Sequence, residues 1–143
     1  MTRKKRWRYY CDFCGKSGGA GGHIASHEKG CTLNPNRECG LCRMRDRTQM
    51  PASELIAAFE SHAADWTAGL AVVRELCDDC PACILAAIRQ SPRLARERDE
   101  YKGEGEYPTV EFDFRTALAG FWDEIKTTED ADTWERDHAY YGI

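Results

Sequence analysis

"YYCDFCGKSGGAGGHIASHEKGC", residues 9–31, holds three cysteines and two histidines around a run of glycines. A segment this poor in large apolar side chains cannot offset its ordering entropy with a core of its own. Its soft donors offer another route. They fall as Cys11-x2-Cys14-x12-His27-x3-Cys31. A turn brings the first two thiolates together, and one helical turn puts His27 and Cys31, at i and i+4, on one face. Four such donors make a tetrahedral Zn2+ site. His23 competes with His27 as the imidazole ligand. The i, i+4 relation to Cys31 favours His27 and leaves His23 as an exposed helix residue.

Working outward, Cys39 and Cys42 form a second C-x-x-C pair that needs two more ligands. "CDDCPAC", residues 77–83, offers Cys77, Cys80 and Cys83. Cys80 and Cys83 are preferred. Cys80 would be an N-cap, Pro81 the first helical residue and Cys83 in the first turn, where thiolates gain from the positive end of the helix. Cys77 is then a small buried thiol. The alternative has Cys77 and Cys80 as ligands and Cys83 in the core. A third arrangement uses 77, 80 and 83 with a distant cysteine as an iron–sulfur site. The donors divide most evenly into two zinc sites, giving two Zn2+ per chain. Both would be saturated by protein ligands and therefore structural. Each would contribute folding free energy on the order of 10 kcal/mol.

The first segment resembles a C2HC zinc finger, with Tyr9 two residues before Cys11 and Ile24 three before His27. Where such fingers carry a large apolar residue four after the second cysteine, this chain has Gly18. Packing is therefore expected from Phe13 or Trp7. The helix positions that read bases in such fingers correspond to Ala20, His23 and Ser26. None is a bidentate base reader, so sequence-specific reading is not expected. Cys39-Gly-Leu-Cys42 looks like a zinc knuckle. With a second pair at a helix start it resembles a treble clef carrying a long helical insertion. "HEKGCTLNPNRECGLC" is similar to small, mostly uncharacterised zinc proteins of bacteriophages and their hosts. That resemblance implies a cytoplasmic accessory factor, in the bacterial host cytoplasm if phage-encoded, and implies no reaction. His23, His27 and Asn34 or Asn36, between C-x-x-C pairs, also resemble an HNH nuclease. Cys11, Cys14, Cys39 and Cys42 would then share one zinc, and Cys31 would have no role. No other catalytic set is present, so the chain is not expected to be an enzyme.

The remainder reads as mainly α with little β. From Pro51, apolar residues at Leu55, Phe59, Ala63, Trp66, Leu70 and Val73 follow the helical period. Ser53 is the expected N-cap, with Glu54 in the first turn, and Gly69 is a point where the helix bends or splits. A second helix is expected from Pro81 with Ile84, Leu85 and Ile88 on one face. It breaks at Pro92, and another helical turn or two is expected in 93–101. In "VEFDF", Val110, Phe112 and Phe114 alternate as in a short strand. Alternatively Asp113 caps a helix to about Lys126 with Leu118, Phe121, Trp122 and Ile125 as its face. The expected organisation is a basic arm at 1–8 and a zinc-binding head at 9–50. A helical body at 51–101 contributes ligands to the second site. A linker at 102–109 leads to an acidic aromatic segment at 110–143.

The chain has 143 residues, 31% of them charged, which suits one compact unit or two small ones. The basic start is followed by no apolar stretch, so no secretory signal is expected, and eight cysteines without one suggest free thiols in a reducing compartment. No run is long enough to span a bilayer. Residues 1–50 carry eleven Lys/Arg against four Asp/Glu, net +7; residues 51–143 carry nine against twenty, net −11. This basic head either meets an anionic partner or is neutralised within the fold. Arg3, Lys4, Lys5, Arg6 and Arg8 around Trp7 suit phosphate contact plus stacking. The expected function is a zinc-stabilised accessory protein that binds nucleic acid without strong sequence choice or docks on a nucleic-acid enzyme. The competing class is a protein adaptor or inhibitor of a host enzyme. Phe121, Trp122, Trp134, Tyr140 and Tyr141 in the acidic segment would be its candidate protein-binding face.

Overall fold

The computed structural model describes residues 1–3, 5–62 and 65–128. Lys4 of the arm, Ala63 of the periodic run, and Trp134, Tyr140 and Tyr141 of the acidic segment lie outside the described residues. Among the described residues the fold is mainly α: a two-stranded hairpin, β1 (Tyr9–Tyr10) and β2 (Ser17–Gly18), and seven helices. These are α1 (Gly21–Gly30), α2 (Gly40–Met44), α3 (Ala52–Glu60), α4 (Trp66–Leu76), α5 (Pro81–Gln90), α6 (Pro92–Asp99) and α7 (Phe114–Thr128). None is long and apolar enough to cross a membrane.

The periodic run from Pro51 is two helices. The division falls before Asp65 and not at Gly69. Asp65 caps α4 by accepting from the Thr67 and Ala68 amides, which gives the chain a fresh helix start. Helix α3 begins at Ala52 with Pro51 as N-cap, so Ser53 lies inside it and does not cap it. Helix α3 packs against α4 and α5, and α5 against α6 and α7. The main core gathers Leu55 and Phe59 of α3, Leu70 and Val73 of α4, and Ile84 and Ala87 of α5. Leu94 of α6 and Phe121, Trp122 and Ile125 of α7 complete it. Phe121 and Trp122 are therefore spent in the core and are not available as the outward protein-binding face that the sequence suggested.

Gly69 is where α3 and α4 come closest. A Cβ there would collide with the Phe59 carbonyl oxygen and come within 3.2 Å of its carbon and 3.3 Å of the Phe59 ring. Alanine usually gains about 1 kcal/mol over glycine inside a helix. Here the sign reverses, because the obstacle is backbone. Gly69→Ala is expected to destabilise the fold by about 1–3 kcal/mol, read as a lower denaturant midpoint.

Helix ends supply the remaining ties. Ser91 caps α6 at the Leu94 amide and donates to Glu60 Oε1 at 2.8 Å, and the same oxygen accepts from the Arg93 amide. Residues 110–113 form no strand. Asp113 instead accepts from the Thr116 amide and hydroxyl at the start of α7.

Candidate metal centres

In the first centre the hairpin pairs Tyr9 with Gly18 and Tyr10 with Ser17. Its turn is closed by the Cys11 amide on Lys16 O (2.8 Å) and the Gly15 amide on Cys11 O (2.9 Å). Gly15 sits at φ 76°, a left-handed conformation that glycine adopts at no steric cost. This presents Cys11 and Cys14 together. Helix α1 then brings His27, whose Nε2 lies 3.1 Å from Cys14 Sγ, and Cys31 follows its last turn. The ligand atoms of Cys11, Cys14, His27 and Cys31 all lie within 4.8 Å of one another. His23 is exposed and outside the group.

The gap expected at Gly18 is filled from within. Ile24 covers it, its Cδ1 only 3.2 Å from where a Cβ would stand. Ile24 is buried with Cys11 and Cys31, and Leu33 packs on them. Phe13 and Trp7, expected to fill this role, are instead exposed. Glycine at position 18 lets the helix approach the hairpin closely, so Ile24 does the work of two side chains.

The second centre joins two helix starts. Cys39 is the N-cap of α2 and Cys80 the N-cap of α5; Cys42 and Cys83 lie in the first turns. Gly40 and Leu41 are thus helical rather than a bare tight turn. The four sulfurs are buried within 4.8 Å of one another, with Cys39 and Cys80 3.5 Å apart and Cys42 and Cys83 3.6 Å apart. Those separations are far beyond an S–S bond of about 2.05 Å. They are close to the edge of about 3.8 Å that a tetrahedron with Zn–S bonds of about 2.3 Å would have. The donor chemistry and the spacing fit zinc at both centres, so the chain carries two Zn2+ sites. Cys77 is buried, but its Sγ lies beside the Cys80 carbonyl at 3.9 Å, outside the cluster. That disposes of the ligand sets that include it. Cys77→Ala is expected to retain two zinc ions per chain and to cost about 1 kcal/mol, checked by native mass spectrometry and a denaturation curve.

Electrostatics explain what the thiolates need. Hydrogen bonds from Cys42, Cys80 and Cys83 hold the Cys39 thiol far below its usual range, and Arg37 adds to the effect. Hydrogen bonding to Cys39 pushes Cys42 and Cys80 up. Without a dication Cys42 and Cys80 keep their protons; zinc lets all four ionise. A zinc tetrathiolate is still doubly negative, and Arg37, only 5% exposed, sits against it. Its Nη1 donates to Cys83 Sγ (3.5 Å) and its Nε to Gly30 O (3.4 Å), beside Cys31 of the first centre. Burial works against the Arg37 charge, but the fields of Cys39 and Cys83 outweigh it and raise its pKa. At the first centre, burial and then Lys16 lower the His27 pKa, so the neutral imidazole that a metal requires is favoured. Burial pushes the Cys31 thiol up to about 11.

Several supporting residues escaped the sequence reading. Gln49 accepts from the Cys39 amide (2.5 Å) and donates to Arg37 O (2.7 Å). Arg45 and Arg47 hold the turn before Cys80, through Asp78 O and Cys77 O, while Asp78 and Asp79 take left-handed φ of 54° and 57°. Gln90 donates to Thr32 O and Asn34 O, docking the first centre onto α5. The one sequence signal for Arg37 is a cation two residues before a cysteine pair. Nothing local marks the others.

Head charge is divided. Arg43, Arg45 and Arg47 pair with Glu38, Glu124 and Asp78. The arm cations Arg3, Lys5, Arg6 and Arg8 are exposed and make no ion pair among the described residues, and Trp7 stands among them. The nuclease-like ligand set is not assembled, because Cys11/Cys14 and Cys39/Cys42 belong to different clusters. Asn34 is used locally, donating to Glu28 O and accepting from the Asn36 amide. No protein-family model, curated protein or solved structure matches this chain.

Proposed function

We propose that this is a zinc-stabilised accessory protein whose basic arm and metal-bound head bind nucleic acid without strong sequence choice, or dock on an enzyme that acts on it. The observation that carries the reading is the split of charge. The arginines after Cys42 are consumed by internal carboxylates, whereas those of the arm face solvent beside an exposed tryptophan. Phosphates are the anions such an arm suits. The hairpin–helix order of the first centre supports a C2HC finger, and the second supports a treble-clef-like site with α3 and α4 inserted between its halves. Both are frames for the arm rather than base readers, since positions 20, 23 and 26 offer no bidentate side chain. Four protein donors at each centre leave no position for water or substrate, so no reaction is proposed. Free-thiol centres suit a reducing cytoplasm.

A salt titration tests the reading. If all five arm cations engage phosphate, affinity is expected to fall with salt at a log–log slope of roughly −3.5 to −4.5. An absence of binding at low salt would leave the protein-adaptor reading, in which zinc only maintains shape.

A further inference from the structure

Large apolar side chains are not exposed evenly over this molecule. Among the described residues seven are exposed, and four of them, Trp7, Tyr9, Tyr10 and Phe13, fall within one short segment of the head. Trp7 is the extreme aromatic case at 83%. None of the four is needed for the small core of the first centre, which Ile24 and Leu33 fill. Arg6, Trp7, Arg8, Tyr9 and Gly19 line an open cleft of about 450 Å³. Its floor is fixed. The Tyr9 ring lies on the backbone of Gly21, within 3.2 Å of where a Cβ would stand, and Arg8 Nη2 donates to Ser17 Oγ at 2.9 Å across the hairpin. Gly19 faces open space, so the fold itself makes no use of its missing side chain.

We propose that this cleft is a stacking site for an unpaired nucleobase, and that the partner of the head is single-stranded rather than duplex nucleic acid. The proposal rests on the nucleic-acid reading of the arm and sharpens it. A duplex shows phosphates and base edges, and its base faces are covered by their neighbours. A ring standing clear of the protein can stack only on a base that is itself uncovered. Phosphates on either side of that base meet Arg6 and Arg8, with Arg3 and Lys5 further along the arm. Stacking tolerates any base, which agrees with the absence of base-reading side chains on α1. A purely electrostatic arm would have no use for an exposed tryptophan flanked by Arg6 and Arg8.

The test uses the full zinc-loaded chain and fluorescence anisotropy with labelled oligonucleotides of about 15 nucleotides, a length matched to single-strand site sizes. The probes are oligo-dT, oligo-U and a duplex of equal length. A single strand, DNA or RNA, is expected to bind at least about tenfold more tightly than duplex at the same salt. Trp7→Ala is expected to lose about 5- to 150-fold in single-strand affinity, the equivalent of one stacked base. Its salt slope and duplex affinity should stay unchanged, and Trp7→Phe should restore most of the loss. Trp7 is exposed, so these variants keep the fold. Equal or tighter duplex binding, or an unaltered Trp7→Ala, overturns the single-strand proposal and leaves the parent reading standing. Failure to bind either form at low salt overturns both.

Discussion

Stripping zinc is expected to dismantle the protein, and the two centres should contribute unequally. Cys39, Cys42, Cys80 and Cys83 are members of the main core, in one cluster with Phe59, Val73 and Ile84. The first centre shares a separate, small cluster with Ile24 and Leu33. Cys83→Ser should therefore lose one zinc together with most of the helical circular dichroism and the cooperative melt. Cys14→Ser should also lose one zinc, yet keep the helices from Ala52 onward. Each site contributes on the order of 10 kcal/mol, comparable with the whole stability of an ordinary domain. Affinity should climb with pH, because Cys31, held up to about 11 by burial, must give up its proton to the metal. His27 acts in the same direction but at lower pH. Its pKa is lowered, so proton competition there is weak above the usual imidazole range and sets in as pH falls through the lowered value. A chelated protein with an unaltered spectrum and melting curve would refute the two-centre architecture. A Cys14→Ser variant that loses every helix would refute the division of labour.

Phe59→Ala should be the most damaging change away from the cysteines, at about 3–5 kcal/mol. The ring is fully buried, its centroid 4.7 Å from that of Trp66, and Gly69 is pressed against the same residue's backbone. Trp66 is in turn held by its Nε1–H to Glu97 Oε2 at 3.0 Å, so it cannot swing in to refill the space without losing that bond. The loss should appear in the global denaturation midpoint. The folded fraction should keep both zinc ions, since Phe59 belongs to neither ligand set. An ion lost at a denaturant concentration where the helices persist would show that α3 holds the second centre more directly than the packing implies.

The ligand register was legible because it is local. Cys11, Cys14, His27 and Cys31 are set by one turn and one helical repeat, and Cys80-Pro81 marks a helix start by residue chemistry alone. Helical period placed Leu55, Phe59, Leu70 and Val73 in the core. The break at Asp65 was missed because a continuing apolar period hides a capping aspartate, and Gly69 attracted the break because glycine inside a helix is usually a weakness. Its actual use, letting α4 approach α3, depends on a neighbour that sequence spacing does not reveal.

By itself, then, the chain determined that two four-donor zinc sites exist and that the body is helical, since bond reach and helical repeat act over a few residues. Only the tertiary structure decided that Cys77 is left out. It alone set Arg37 between the centres, drew Arg45 and Arg47 inward, and turned Phe121 and Trp122 into core while Trp7 stayed outside. Those outcomes depend on which surfaces meet across tens of residues, where burial and charge are settled by packing and not by the order of amino acids nearby.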